Sequence, residues 1–306
     1  MTDMAGVARA GAQDGDGVAG AAACPVPPLA VEQVELGYGE RLVVHGVDLE
    51  VPAGQVTVLV GANGSGKSTL LRAMARLLVP RSGRVVLDGV DLAGQDSRDV
   101  ARRVGLLPQT AQVPDGITVA QLVMRGRHPH RRRLFPRPTF ADDLAVARAL
   151  EATDLVGLAG RQVAELSGGQ RQRVWLAMVL AQDTGVLLLD EPTSYLDLAH
   201  QVDVLDLVRR LSDENGITVV MVLHDLAMAA RYADHLVAVK DGRVAAEGCP
   251  VEVLTVETVA EVFGITARIV PDPDTGTPVV LPRGRMSKVA GDMSGGALSI
   301  SSAAEG

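Results

Sequence analysis

In this 306-residue chain, one lysine stands in a setting that could do chemistry on phosphate. Gly61-Ala62-Asn63-Gly64-Ser65-Gly66-Lys67-Ser68 has the spacing G-x-x-x-x-G-K-[ST]. Glycines so placed let the backbone curl until successive N–H groups face one anion. A helix starting at the loop adds its positive end. Lys67 can then reach the β and γ phosphates of a nucleoside triphosphate, and the Ser68 hydroxyl can ligate Mg²⁺. The apolar run QVTVLVG precedes the octet and an amphipathic stretch beginning at Lys67 follows it, the strand–loop–helix setting this chemistry needs. Lysine occurs only at positions 67, 240 and 288, which makes a chance glycine turn ending in lysine remote.

Two further groups fit the same chemistry. In Val186-Leu-Leu-Leu-Asp190-Glu191 an apolar strand ends in two carboxylates. Asp190 suits Mg²⁺ coordination, and Glu191 is placed to polarise an attacking water. Alone, Asp-Glu after a strand reads as a solvated turn; downstream of a phosphate loop it does not. Leu166-Ser167-Gly168-Gly169-Gln170-Arg-Gln-Arg173 opens a helix. Ser167 is an ordinary N-cap candidate, but a cap leaves the two glycines unexplained. A serine and two glycines at a helix start form a second anion cradle. One domain has no use for two such cradles, whereas in a dimer each subunit could close the other's site.

These residues need a scaffold. LAVEQVELGYG and LVVHGVDLEV alternate as half-buried strands do, and QVTVLVG, GVLLLD and ITVVMVLHD are continuous apolar runs of the kind found in buried parallel strands. Helical patterns follow over residues 67–78, 197–211 and 225–232. Strand–turn–helix units in series predict a mainly parallel sheet with helices on both faces. From about Thr118 to Gln182 strand signal nearly vanishes, while ADDLAVARALEATDLVGLAG and GGQRQRVWLAMVLAQ read as helices, so an inserted α-helical subdomain is expected over about residues 113–185. Residues 1–29 and 283–306, rich in Gly, Ala and Ser, read as disordered extensions around a domain spanning 30–282.

GANGSGKST, LSGGQRQR and LLLDEP, in that order, closely resemble the ATP-binding cassette (ABC) ATPases over roughly residues 30–270. The resemblance implies a P-loop NTPase fold with a RecA-like core, an antiparallel β-subdomain and the inserted helical subdomain. It implies ATP and Mg²⁺ as ligands, with residues 61–69, Thr69 included, around the triphosphate, and Ser167, Gly168, Gly169 and Gln170 reaching it from a second copy. Tyr38, in LGYGE, matches the aromatic that stacks on adenine; a core tyrosine is the plainer alternative. Stacking uses the ring alone, so Tyr38→Phe is expected to change little. Gln109 matches a glutamine that senses Mg²⁺ and links to the permease. Ser194 and Asp197 match a loop at the dimer interface, and His224 matches a histidine that contacts the γ-phosphate. Ala62 stands where many members have Pro, and Ser194-Tyr195 replaces a commoner small pair; neither touches a reacting group.

Composition limits the setting. Net charge is −8, hydrophobic residues make up 47% and aromatics 2%, so the core must be Val, Leu and Ala. Cys24 and Cys249 have no metal-ligand spacing. The first residues lack the positive charge and apolar stretch of a signal peptide, and no apolar run approaches a membrane span. ABC exporters usually fuse this domain to membrane helices, so pairing with a separate permease, at the cytoplasmic face of the membrane as a peripheral homodimer, is expected. The strings Gly126-Arg-His-Pro-His130, Leu180-Ala-Gln-Asp-Thr184, Tyr195-Leu-Asp-Leu-Ala-His-Gln201, Val222-Leu-His-Asp-Leu226, Ala230-Arg-Tyr-Ala-Asp234 and Val270-Pro-Asp-Pro-Asp274 resemble the ATPases of iron(III)-siderophore importers. That branch implies ferric siderophore uptake served by a substrate-binding lipoprotein. Vitamin B12 and haem importers share the architecture. A soluble ABC ATPase of nucleic-acid processing would carry coiled coils or a second cassette, and neither is seen; nucleic acid is not expected as a partner. The run Arg125-Gly-Arg-His-Pro-His-Arg-Arg-Arg133 reads as a solvated basic loop or as a contact with the permease or anionic headgroups.

Overall fold

The computed structural model describes residues 27–109, 113–131 and 137–285. In chain order the strands are β1 (Leu29–Tyr38), β2 (Arg41–Val51), β3 (Val56–Val60), β4 (Ser82–Leu87), β5 (Val90–Asp91) and β6 (Val104–Leu107). They continue with β7 (Val186–Asp190), β8 (Thr218–Val222), β9 (His235–Lys240), β10 (Arg243–Gly248), β11 (Ile265–Pro271) and β12 (Pro278–Arg285). The helices are α1 (Lys67–Met74), α2 (Ser97–Ala101), α3 (Val119–Arg125), α4 (Phe140–Ala152) and α5 (Gly168–Ala181). Then come α6 (Leu198–Asn215), α7 (Leu226–Tyr232), α8 (Pro250–Val253) and α9 (Val256–Phe263).

A six-stranded sheet of order β10-β9-β3-β8-β7-β6 forms the centre. Only the β9–β10 pairing in it is antiparallel. Its strands β3, β7 and β8 are buried along their whole length, which is why their sequences are unbroken apolar runs. Alternate residues serve opposite faces. Val58, Val60, Leu187 and Leu189 pack with α5, α6 and α9, while Leu59, Leu188 and Val220 pack with α1 and the antiparallel sheet β2-β1-β4-β5. Each of the three layers of the expected fold is therefore present.

The inserted helical subdomain has its own core of Leu122, Val123, Val146, Leu150, Leu155 and Val174. It departs from expectation where one long helix was read over residues 141–160. There α4 stops at Ala152, because the Thr153 hydroxyl bonds back to the Ala149 carbonyl at 2.7 Å and Asp154 takes a left-handed φ of 55°. At the carboxyl end, β12 runs to Arg285, three residues into the segment expected to be a tail. At the amino end β1 already starts at Leu29, fully buried and the last residue of the other expected extension, while residues 1–26 and 286–306 lie outside the described residues.

The basic run is also corrected. Arg127 is not solvated: it is 6% exposed and its Nε donates to Asp142 Oδ1 at 2.9 Å, with Asp142 2% exposed. Asp142 also accepts from the Thr139 amide and hydroxyl, both at 2.9 Å, capping α4. A second guanidinium nitrogen donates to the Ala181 carbonyl at the end of α5 at 2.9 Å, where a cation suits the helix dipole. His130 Nε2 lies 2.7 Å from the Gln182 carbonyl. Thus Arg127 and His130 tie the subdomain's helices together; Arg132 and Arg133 lie outside the described residues. Burial pushes the Asp142 carboxyl up, but its hydrogen bonds from Thr139 and Arg127 outweigh that and hold it below the usual range. Its stabilisation is therefore complete above the ordinary carboxylate pKa and lost as pH falls through the lowered value. Arg127→Met, which leaves this carboxylate buried and unpaired, is expected to destabilise the protein by about 3–5 kcal/mol in urea unfolding. A change below about 1 kcal/mol, the scale of an exposed pair, would show that the pair is solvated.

Candidate active site

Four neighbouring strands, β3, β8, β7 and β6, run parallel and end at one edge of the central sheet. Strand spacing of about 4.8 Å keeps their ends within about 15 Å of one another. Ligands of open α/β sheets bind at this carboxyl edge. From β3 comes the glycine-rich loop, from β8 His224, from β7 Asp190 and Glu191, and from β6 Gln109. The cleft is lined by Asn63, Lys67, Ser68, Gln109, Glu191 and His224, among others.

The loop's shape depends on its glycines. Gly66 caps α1 with φ 105°, and a side chain on Gly61, at φ 150°, would meet the Val239 carbonyl. Lys67 folds back over the loop: its Nζ donates to the Gly61 carbonyl at 2.9 Å and the Ala62 carbonyl at 3.0 Å, with Ser65 Oγ at 3.5 Å. Burial lowers the Lys67 pKa, and the nearby Glu191 and Asp190 charges oppose that shift. Asn63 and Gly64 line the mouth and Thr69 lies at its base, 8% exposed.

The Ser68 hydroxyl donates to Asp190 Oδ1 at 2.7 Å. Burial pushes the Asp190 carboxyl up, against the Ser68 hydrogen bond and the charges of Arg72 and Lys67. A hydroxyl and a carboxylate side by side are hard oxygen donors, too few for an all-protein cage. That donor set fits Mg²⁺, which completes its shell with water and substrate phosphate oxygens. No cluster of three or more His, Cys, Asp or Glu ligands occurs among the described residues.

Glu191 is the most heavily engaged side chain of the site. His224 Nε2 lies 2.6 Å from its Oε1. Gln109 Nε2 and Ser194 Oγ donate to its Oε2 at 2.7 and 2.8 Å. Burial alone would raise its pKa; the His224 and Ser194 hydrogen bonds, the His224 charge and Gln109 together bring it below the ordinary value. It stays an anion at neutral pH and holds its backbone at φ 53°. The sequence pointed to Gln109 as a metal sensor and Ser194 as an interface residue. Their common grip on one carboxylate oxygen was not readable, since 82 residues separate Gln109 from Glu191.

Ser167–Gln170 stands apart from this cleft. Ser167 and Gln170 form a reciprocal capping box on α5, at 3.3 and 3.1 Å. Of the two glycines that a cap leaves unexplained, one now has a local reason. A Cβ on Gly169 would lie 2.3 Å from the His200 ring, whereas one on Gly168 would meet nothing within 4 Å. Gly168 is thus bare toward open space. Asp197 caps α6, accepting from the His200 amide at 3.0 Å, and Tyr195 beside it is 95% exposed at φ 66°. Tyr38 ends β1 at 46% exposure, so it is not a core tyrosine; its hydroxyl accepts from Arg72 at 3.1 Å.

A glycine loop and helix N-terminus facing a carboxylate pair at the edge of a parallel sheet define a P-loop ATPase. A family model described as ABC transporter matches residues 44–194. The ferric enterobactin transport ATP-binding protein FepC of Escherichia coli is 49% identical over 85% of this chain and 96% of its own. The protein named probable siderophore transport system ATP-binding protein YusV, of Bacillus subtilis, is 49% identical over 84% and 93%. Among solved structures, an inward-facing metal-chelate type ABC transporter matches with a TM-score of 0.72 at 28% identity, covering 83% of this chain and 97% of that one. The dimeric cassette MJ0796 matches with a TM-score of 0.64 at 27% identity, over 72% and 98%. The chain belongs to the ABC transporter ATPases. No helix among the described residues is long and apolar enough to cross a membrane.

Proposed function

We propose that this chain powers the import of a ferric siderophore through a separate membrane permease. The reading rests chiefly on the two relatives above, which are about half identical over nearly their full lengths and are named for ferric enterobactin transport and for siderophore transport. Two copies would face each other, as in the dimeric cassette. Each site would join one subunit's Lys67 loop to the other's Ser167-Gly168-Gly169 segment, and the open space at Gly168 suits the approach of a ligand across the interface. In this reading Lys67 and the loop amides hold the triphosphate, and Ser68 and Asp190 hold Mg²⁺, which neutralises charge on the phosphates. Glu191 accepts a proton from the attacking water, His224 orients the carboxylate and contacts the γ-phosphate, and Gln109 orients the carboxylate and senses Mg²⁺. The dimer would sit on the cytoplasmic face of the membrane, with a substrate-binding lipoprotein delivering the chelate outside.

A cobalamin import protein of Halobacterium salinarum, 44% identical over 87% of this chain and 66% of its own, supports a second reading, vitamin B12 import. Uptake by cells lacking this chain separates the two. Uptake of at least one radioiron-loaded siderophore should be lost, and be restored by the wild-type chain but not by Lys67→Ala. Loss of cobalamin uptake alone would favour the second reading. Unchanged uptake of both would sink the import assignment.

A further inference from the structure

Tyr38 is held by its rim. The hydrogen bond from Arg72 reaches the phenol oxygen, at the edge of the ring, and leaves the ring faces to a base. Arg72 lies on α1, the helix that the phosphate loop starts, one turn beyond Ser68. Residues four apart share a helix face. The next turn is pinned as well: Arg81 donates to the Gly39 carbonyl through its guanidinium and to the Glu35 carbonyl through its amide, the latter at 2.9 Å. Two arginines that follow the phosphate loop thus fasten the Glu35–Gly39 end of β1.

We propose that Arg72 is a positioning residue for the nucleotide base: it ties the Tyr38 ring to the helix that carries the phosphate cradle. Base and triphosphate are then gripped by one rigid unit. A free tyrosine at a β-turn would spread over several rotamers, and ordering it on binding would weaken affinity. The tether removes that loss before ATP arrives. It acts only on ligands that carry a base. It rests on the stacking role read for Tyr38 and changes one consequence of that role, because the hydroxyl now matters and Tyr38→Phe is no longer silent.

The test measures binding of MgATP and of inorganic triphosphate to the purified full chain by titration calorimetry. Tyr38→Phe and Arg72→Met should each weaken MgATP about threefold or more, the scale of one net hydrogen bond. The double variant should be no weaker than either single one, since both remove the same bond. Arg72→Lys, which keeps a donor, should recover part of the loss. Inorganic triphosphate should bind Tyr38→Phe like the wild type, and Arg72→Met should weaken it less than it weakens MgATP. Equal weakening of triphosphate by Arg72→Met would mean that the guanidinium serves the phosphates or the fold, and would overturn the proposal. So would Tyr38→Phe and Arg72→Met variants that bind MgATP normally while Tyr38→Ala does not. A Tyr38→Ala variant that binds MgATP normally would remove the stacking role itself. Tyr38→Phe removes one atom of a half-exposed side chain, so folding does not confound that arm.

Discussion

Lys67→Ala should weaken ATP binding by about a hundredfold or more and abolish hydrolysis, because each charge-assisted hydrogen bond to phosphate contributes about 1.5–3 kcal/mol. Lys67 is 5% exposed and largely desolvated, so its attraction for a triphosphate is poorly screened. In the free chain Nζ bonds the carbonyls of Gly61 and Ala62. ATP must draw it away from the loop or share it, and the lysine is held where the phosphates would lie. The substitution leaves two carbonyls without this donor. Ala62 is exposed and water can replace the bond there, so the fold should survive with a modest loss near 1 kcal/mol per bond. Titration with MgATP and thermal unfolding of the same sample read the two effects separately. Near-wild-type turnover in the variant would refute the phosphate-loop assignment.

What the sequence made legible follows burial. β3, β7 and β8 are covered on both faces, so each residue is apolar and the run announces itself. β10, at the sheet edge, alternates exposed and half-buried residues in RVAAEG and carries little pattern. The hairpin β11–β12 contains Pro271, Pro278 and Pro282, which argue against a strand except at an edge, where these lie. The reverse error arose at α1. Its apolar pattern runs on to Leu78, but the helix stops at Met74, Arg76 turns left-handed at φ 58°, and Leu77 and Val79 are left 67% and 74% exposed. Pro80 disfavours helix at the residue before it.

The site divides the same way. Lys67, Ser68, Asp190 and Glu191 were readable because backbone geometry alone delivers them: each sits at a strand end or at the start of the helix that follows the loop. Pairings between side chains were not. Arg127 with Asp142, Arg72 with Tyr38, and Ser194 and Gln109 on Glu191 join groups that nothing in the sequence links to one another. Only the packing of α3 and α4, or of α1 on β1, makes them partners. The reading of Arg127 as solvated failed for that reason, since its burial depends on a helix that begins 13 residues later.

Glu191→Gln separates binding from chemistry. The substitution keeps size and shape but removes the charge, and it exchanges one acceptor oxygen for an amide nitrogen, so the remaining carbonyl oxygen cannot accept both from His224 and from Gln109 and Ser194. ATP should still bind through Lys67 and Ser68, neither of which hydrogen-bonds that carboxylate. Hydrolysis should fall by roughly two orders of magnitude or more, the range for a lost general base. Phosphate release under saturating MgATP measures this directly, and a variant retaining most of its turnover would exclude Glu191 as the base. If ATP bridges two subunits, slow hydrolysis should also trap a dimer by mass action, visible by sizing chromatography with MgATP. The wild type should show that dimer only fleetingly. Adding Ser167→Arg to the trapped variant should abolish it. Gly168 beside it opens onto unoccupied space, and a bulky cation there would fill the approach while the rest of α5 stays packed. Loss of the Ser167 cap costs the helix about 1 kcal/mol, too little to unfold the subdomain. An ATP-dependent dimer that persists with Ser167→Arg would therefore rule out a site shared between the phosphate loop of one subunit and α5 of the other.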